Sequence, residues 1–244
     1  MLLNQAVDDY SRETQEYMVA YIDLLGVTNR IKDKETDNLS MNILHNLYSR
    51  TIEDMQIIDI QELHEIKYKI FSDNIIIAIK LSKDDEKRKK QISAILFSVR
   101  DMQETAASDC VGWMLRGGIS IGQLYIDDVL VWGDALVKAY KLEDTVANYP
   151  RVVIANDIIE ELLEIERIRD YIRRDFDGLY FVNYLADCHF VGEPLMNGFE
   201  KMKREVNWTY NERLLQKFVW HMNFINSELD KKKEKKDKCF RLSL

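Results

Sequence analysis

Tyr17-Met18-Val19-Ala20-Tyr21-Ile22-Asp23-Leu24-Leu25-Gly26-Val27-Thr28 is the stretch on which the fold turns. Its first six residues are almost wholly apolar and show no polar alternation, which reads as a short strand buried on both faces. The run ends in a carboxylate, Asp23, just before a glycine and a helix start. Farther on, Thr36-Asp37-Asn38 can cap a restarted helix in which Leu39, Ile43, Leu44 and Leu47 recur at helical spacing. Residues 65–71 read as a strand with Ile66, Tyr68 and Ile70 on one face. Ser72-Asp73-Asn74 is a turn, and residues 75–79 return as the second strand of a hairpin. Residues 83–107 are helical, with charged first turns giving way to Ile92, Ile95, Leu96 and Val99, and residues 113–124 are strand-like. The order strand, helix, strand, strand, helix, strand predicts an α+β fold with a ferredoxin-like βαββαβ core, an antiparallel sheet with helices on one face. Beyond it, residues 133–147 read as helix, 151–155 and 180–185 as strands, and 207–229 as an amphipathic helix.

The surrounding composition narrows the class. With 244 residues, 46% hydrophobic and 31% charged, the chain can bury a core without staples. No apolar run reaches the roughly 18 residues of a membrane span, and the N-terminus lacks a basic-then-apolar signal pattern, so the expected location is cytoplasmic. The net charge of −8 disfavours a nucleic-acid binder. Cys110, Cys188 and Cys239 lack Cys-x-x-Cys spacing, which speaks against a disulfide framework or a zinc site. His45, His64, His189 and His221 have no partners at metal-ligand spacing. Glycine and proline are scarce, yet Gly112, Gly117, Gly118, Gly122 and Gly133 crowd together after a glycine-free stretch from 27 to 111. Glycine concentrated in this way marks tight turns or close backbone approach. The expected organisation is an N-terminal arm at 1–16, a catalytic domain at 17–190, a helical extension at 191–230 and a Lys-rich tail at 231–244.

Two carboxylates stand out by position. Asp23 follows the buried strand, and Asp73 sits at the tip of the hairpin. Taken alone, Asp23 reads as a helix-start acid and Asp73 as a turn former. In βαββαβ topology, however, both reach one end of the sheet, where they repel unless a cation neutralises them. Oxygen ligands with positions left open for phosphate suit Mg²⁺ or Mn²⁺.

At these residues the chain resembles the class III nucleotidyl cyclases, over roughly residues 17–155. The family's first metal motif, Phe-x-Asp-Ile-x-Gly-Phe-Thr, is similar to Tyr21-Ile22-Asp23-Leu24-Leu25-Gly26-Val27-Thr28, and its Lys-x-x-Gly-Asp hairpin to Lys69-Ile70-Phe71-Ser72-Asp73. Its Arg-x-Gly-Ile-x-x-Gly strand matches Arg116 to Gly122, and its Trp-Gly helix start resembles Trp132 to Leu142. The resemblance implies two divalent metals per site, Mg²⁺ or Mn²⁺, held by Asp23, Asp73 and the Leu24 carbonyl. It implies phosphate binding by Gly26, Val27 and Thr28, for which helix N-terminal amides are suited, and charge neutralisation by Arg116. Lys141 stands where the family has its transition-state arginine, and supplies a point charge without a bidentate fork. The implied reaction cyclises a nucleoside triphosphate in a homodimer, with composite sites built from both subunits. Lys69 matches the base-reading lysine, whereas Leu130 and Val137 replace the family's base-reading aspartate and ribose-orienting asparagine.

These departures leave a different base or a non-catalytic nucleotide-binding module. The altered pocket is similar to those of the pyrimidine cyclases of bacterial Pycsar antiphage systems, which implies UTP or CTP as substrate and a separate effector that reads the cyclic product. A purine cyclase and a palm-type oligonucleotide-forming enzyme are the other readings.

Overall fold

The computed structural model describes residues 12–27, 37–62, 66–108, 111–186, 193–205 and 212–233. Strand β1 (Gln15–Leu24) lies at the centre of the sheet. Helix α1 (Asp37–Glu62) precedes the hairpin of β2 (Ile66–Phe71) and β3 (Asn74–Lys80), and α2 (Asp85–Ala107) leads into β4 (Leu115–Ile126). β1 pairs antiparallel with β3 on one side and with β4 on the other, so β2-β3-β1-β4 is the expected ferredoxin-like order. The N-terminus of α2 is fixed by Asp84, whose carboxylate accepts the Lys87 amide at 2.8 Å, with Asp85 and Glu86 in its first turn.

The sheet then extends past this core. A two-residue strand β5 (Val131–Trp132) pairs with the end of β4 and precedes α3 (Asp134–Lys141), which passes into a π-helical turn at Leu142–Val146. Strand β6 (Val152–Ile154) runs parallel to β4, as a crossover through α3 requires. After short helices α4 (Ile159–Leu163) and α5 (Glu166–Arg169), the hairpin of β7 (Ile172–Arg174) and β8 (Tyr180–Val182) completes the order β2-β3-β1-β4-β6-β8-β7. Helices α6 (Glu193–Glu205) and α7 (Glu212–Lys233) follow. The helix expected over 207–229 is described from Glu212 to Lys233, and residues 206–211 lie outside the described set. Among the described residues no helix is long and apolar enough to cross a membrane.

Strand alternation explains why β1 is apolar throughout. Met18, Ala20, Ile22 and Leu24 face α1 and α2 in the main core, together with Ile75, Ile77 and Ile79 of β3. Tyr17, Val19 and Tyr21 face the other way and pack with Ile76, Ala78 and the α3 residues Ala135 and Ala139. The two helices of the βαββαβ core thus lie on one face, as expected, and α3, which follows that core, covers the second, so β1 is buried on both. Gly118 permits this. A Cβ there would lie 2.2 Å from the Ala139 carbonyl oxygen, so α3 rests directly on the β4 backbone. In α1 the buried face is carried by Leu47, Tyr48, Thr51 and Met55, while Leu39 is exposed, unlike its expected place in the apolar stripe.

A third cluster joins α6 and α7 to the sheet. Phe199, Phe218, Phe224, Ile225 and Leu229 pack with Phe181 of β8 and with Leu25 and Met114, which flank the ends of β1 and β4. Arg151, almost fully buried, pairs with Asp175 and Asp177 beneath the rings of Tyr149 and Trp220, and the Trp220 indole donates to Asp175 at 2.9 Å. His221 of α7 is buried against the Tyr184 hydroxyl at 2.6 Å, a structural role in keeping with its lack of metal-spaced partners. Cys110, Cys188, Cys239, His64 and His189 lie outside the described residues.

Candidate active site

The end of β1 carries Asp23 on the face that α3 covers. The pairing of Asp23 with Asn74 brings the hairpin tip alongside, and the Leu24 amide donates to the Asp73 carbonyl at 3.2 Å. The two acids expected to meet do meet at one sheet end. The two-residue turn between β2 and β3 is formed by Ser72 and Asp73, and Ser72 holds φ at +55°, a left-handed conformation that glycine adopts without penalty. Gly26 turns the chain with φ +88°, Val27 is buried beside it, and Thr28 lies outside the described residues.

Arg116 faces Asp23 across the β1–β4 ladder and donates from Nε to its carboxylate at 3.1 Å. Its Nη2 lies 2.7 Å from Oε1 of Glu143. Glu143 sits in the π-helical turn after α3, with a side chain 5% exposed. Burial is the largest influence on both acids. It raises Asp23 above the ordinary carboxylate range, opposed by the hydrogen bond and charge of Arg116 and assisted by Asp73. Glu143 is pushed up to about 7 by burial, with Arg116 opposing and Asp23 assisting. Burial wins over the ion pair because a single guanidinium shared between two carboxylates cannot offset the desolvation of both. Tyr21, on the same face, is pushed up to about 12 by burial and then by Glu143 and Asp23.

The donor chemistry answers whether a divalent ion suits this place. Asp23 and Asp73 offer hard oxygens only, and their mutual repulsion is what a cation relieves. Mg²⁺ is commonly held by one or two carboxylates, with its remaining positions filled by water and substrate phosphate. The residues fit such an ion in an open site; among the described residues no group of three or more His, Cys, Asp or Glu forms a closed cage.

Beside the acids lies a groove of about 550 Å³ lined by Tyr21, Lys69, Phe71, Asp128, Val137 and Tyr140, among others. Lys69 and Val137 thus share one wall system, and Val129 and Val131, the neighbours of Leu130, line it too. Leu130 is about half exposed, in a turn where the Asp127 carboxylate accepts the amides of Val129 and Leu130 at 2.8 Å. Lys141 is exposed on the last turn of α3 and forms no ion pair among the described residues. The expected residues therefore divide into two groups. Asp23, Leu24, Asp73, Gly26, Val27 and Arg116 gather at the sheet end, and Lys69, Val137 and the turn of Leu130 gather at the groove, with Tyr21 between them.

Sequence reading missed Glu143, Asp128 and Lys217. Glu143 reads as one of several acids in a helical stretch, and only the π-helical turn buries it. Lys217, on α7, is half-buried near Asp23, Glu143 and Arg116, although the extension carries no motif.

Comparison with solved structures follows from this geometry. The monomeric guanylyl cyclase domain of the RhoGC fusion protein from the aquatic fungus Blastocladiella emersonii superposes with a TM-score of 0.52 at 14% identity, over 70% of this chain and 96% of that one. The chain has a class III nucleotidyl cyclase-like fold. The guanylate cyclase domain of RhGC from Catenaria anguillulae, solved in complex with GTP, gives a TM-score of 0.50 at 14% identity, over 70% of this chain and 98% of that one. No protein-family model and no curated protein matches the sequence.

Proposed function

We propose that the protein is a metal-dependent nucleotide cyclase that converts a nucleoside triphosphate, UTP or CTP in preference to a purine nucleotide, into its 3′,5′-cyclic monophosphate and pyrophosphate. The observation that carries this reading is the convergence of Asp23, Asp73 and Arg116 at one sheet end, next to the groove of Lys69 and Val137. Asp23, Asp73 and the Leu24 carbonyl would hold two divalent ions, Mg²⁺ or Mn²⁺, which supply charge neutralisation to the phosphates and acidify the ribose hydroxyl. The 3′-oxygen forms a bond to the α-phosphorus, the bond from that phosphorus to the β-phosphate bridging oxygen breaks, and the hydroxyl proton leaves to solvent. Arg116, anchored by Glu143, meets the phosphate oxygens. The amides of Gly26, Val27 and Thr28 receive the phosphate tail.

Lys69 donates to the base. Because Val137 and Leu130 offer no hydrogen bonds, the pocket rejects no base by leaving a polar reader unpaired. Phe71 and Tyr140 line the groove beside Lys69 and offer ring faces on which a pyrimidine would stack. A second copy of the chain completes the site and brings Lys141 to the phosphates. Ile70, Phe71, Val129, Val137 and Tyr140 are exposed apolar side chains that line the groove, with Leu130 and Trp132 beside them in the chain, and a homodimer would cover them. In the cell the product would act as a signal in bacterial antiphage defence, read by a separate effector.

The test is incubation of the purified chain with each of the four ribonucleoside triphosphates and Mn²⁺, followed by separation of products. A cyclic pyrimidine monophosphate is expected. Cyclic purine product alone overturns the base preference, and no cyclic product from any of the four overturns the cyclase reading. The ion pair of Asp23 with Arg116 favours one rival, a module that binds nucleotide without turnover. Tight triphosphate binding with no product would establish it.

A further inference from the structure

Helix α7 is docked against the candidate site. Its apolar stripe, Phe218, Phe224, Ile225 and Leu229, packs onto Leu25, Met114 and Phe181, and the Leu25 amide donates to the Met114 carbonyl at 2.9 Å. The rotation of the helix is fixed at two points, by the Trp220 indole on Asp175 at 2.9 Å and by Arg173 on Glu228 at 2.5 Å. This leaves Lys217, adjacent to fully buried Phe218, half-buried at the sheet end, with Arg213 one helical turn before it. Asp23, Glu143 and Arg116 are its electrostatic neighbours, together with Arg213.

The charges there do not balance in favour of a resting lysine. Lys217 has no ion pair within 4 Å among the described residues, whereas Arg116 already engages both Asp23 and Glu143. A half-buried ammonium without a contacting carboxylate lacks the partner that its desolvation calls for. Burial and Arg116 push its pKa below the ordinary lysine range, and Asp23 and Glu143 oppose this. Once Asp23 and Asp73 are committed to a divalent ion, Glu143 is the carboxylate left among the electrostatic neighbours of Lys217, against the two cations Arg116 and Arg213.

We infer that Lys217, with Arg213 beside it, is a polyphosphate-binding residue that the C-terminal helix supplies in cis to the candidate site. The ligand class is the charged tail of a nucleoside triphosphate, and its identity as a nucleotide rests on the reading under Proposed function. An ammonium on a long stem suits this role, because it follows phosphate oxygens without a fixed fork geometry.

The experiment uses the full chain with inorganic tripolyphosphate and Mn²⁺ in calorimetric titration. Lys217→Gln is expected to weaken tripolyphosphate binding about tenfold, as the removal of one charge-assisted hydrogen bond implies, and Lys217→Arg to stay within about threefold of the unaltered chain. Mn²⁺ affinity alone, read by electron paramagnetic resonance, is expected to stay unchanged in both. Equal tripolyphosphate affinity in Lys217→Gln overturns the inference. Tighter Mn²⁺ binding with unchanged tripolyphosphate affinity also overturns it, by making Lys217 a plug of the metal site. Should Lys217→Gln fail to fold, amine-reactive labelling of the unaltered chain decides: tripolyphosphate should protect Lys217, and undiminished labelling overturns the site. Tripolyphosphate binding through Lys217 in a chain that makes no cyclic nucleotide removes the cyclase reading and keeps this site. Cyclic product from Lys217→Gln at an unchanged KM keeps that reading and removes the site.

Discussion

Replacing Glu143 with glutamine should stabilise the metal-free protein above neutral pH while impairing the activity proposed for it. Glu143 titrates near 7 in the folded chain against 4.5 for an ordinary glutamate, because burial disfavours its charge. A carboxyl whose pKa is raised on folding binds its proton more tightly in the native state. Its penalty is therefore absent below about pH 4.5 and fully developed above about pH 7. At about 1.4 kcal/mol per pKa unit, the ionised form costs the native state about 3 kcal/mol. Glutamine keeps the shape of the neutral acid and carries no charge to desolvate. For a chain of this size about 1 kcal/mol moves Tm by about 2–4 °C, so Glu143→Gln should raise Tm by about 6 °C or more at pH 8. The gain should shrink to about a quarter of this at pH 5, just above the ordinary glutamate value, in chelator-treated protein followed by differential scanning calorimetry. Cyclic nucleotide formation should fall by about tenfold, because Arg116 loses the charge that anchors it. An equal Tm change at pH 5 and pH 8, or a loss of stability at pH 8, would refute the assignment of burial as the dominant influence on this residue.

Three further outcomes are expected. Asp73→Asn should leave Tm within about 2 °C, as a solvent-facing turn substitution does, and remove cyclic product entirely; retained turnover would exclude Asp73 as a metal ligand. Ser72→Gly should relieve about 1 kcal/mol of left-handed backbone strain and raise Tm by about 2–4 °C, whereas a lowered Tm would show that Ser72 contributes an interaction worth more than the strain. Trp132→Glu places a charge on a ring that is 69% exposed and should convert dimer to monomer in analytical ultracentrifugation without lowering Tm; an unchanged sedimentation profile would place the subunit interface elsewhere.

The core strands were legible because their side-chain patterns are set by burial. The apolar run of residues 17–22 could only be a strand covered on both faces, and the hairpin of β2 and β3 followed from its turn cluster. With those elements ordered, the meeting of Asp23 and Asp73 needed only topology. Glu143 was not legible, because its burial depends on two non-local facts: Gly118 lets α3 lie on β4, and the chain widens into a π-helical turn just after Lys141. Nothing in Lys141-Leu142-Glu143-Asp144 distinguishes the buried acid from the exposed one beside it. Lys217 was hidden for a similar reason, since a lysine next to a phenylalanine in an amphipathic helix is ordinary until the helix docks. The β7 strand, only three residues long, carries too short a pattern to separate from the surrounding charged residues.

The two candidate metal acids have supports of unequal standing. β1 has a paired neighbour on each side and packed side chains above and below, so its amides should exchange hydrogen only when the whole domain opens. β2 terminates the described sheet, and most of its side chains are exposed, so its hairpin can breathe at far smaller free energy. Asp23 is thus bolted to the most persistent cooperative unit of the protein, whereas Asp73 sits in the turn that joins buried β3 to the edge strand. A cation gripped by both would tie the edge strand to the centre of the sheet, and slowed amide exchange along β2 would be its fingerprint.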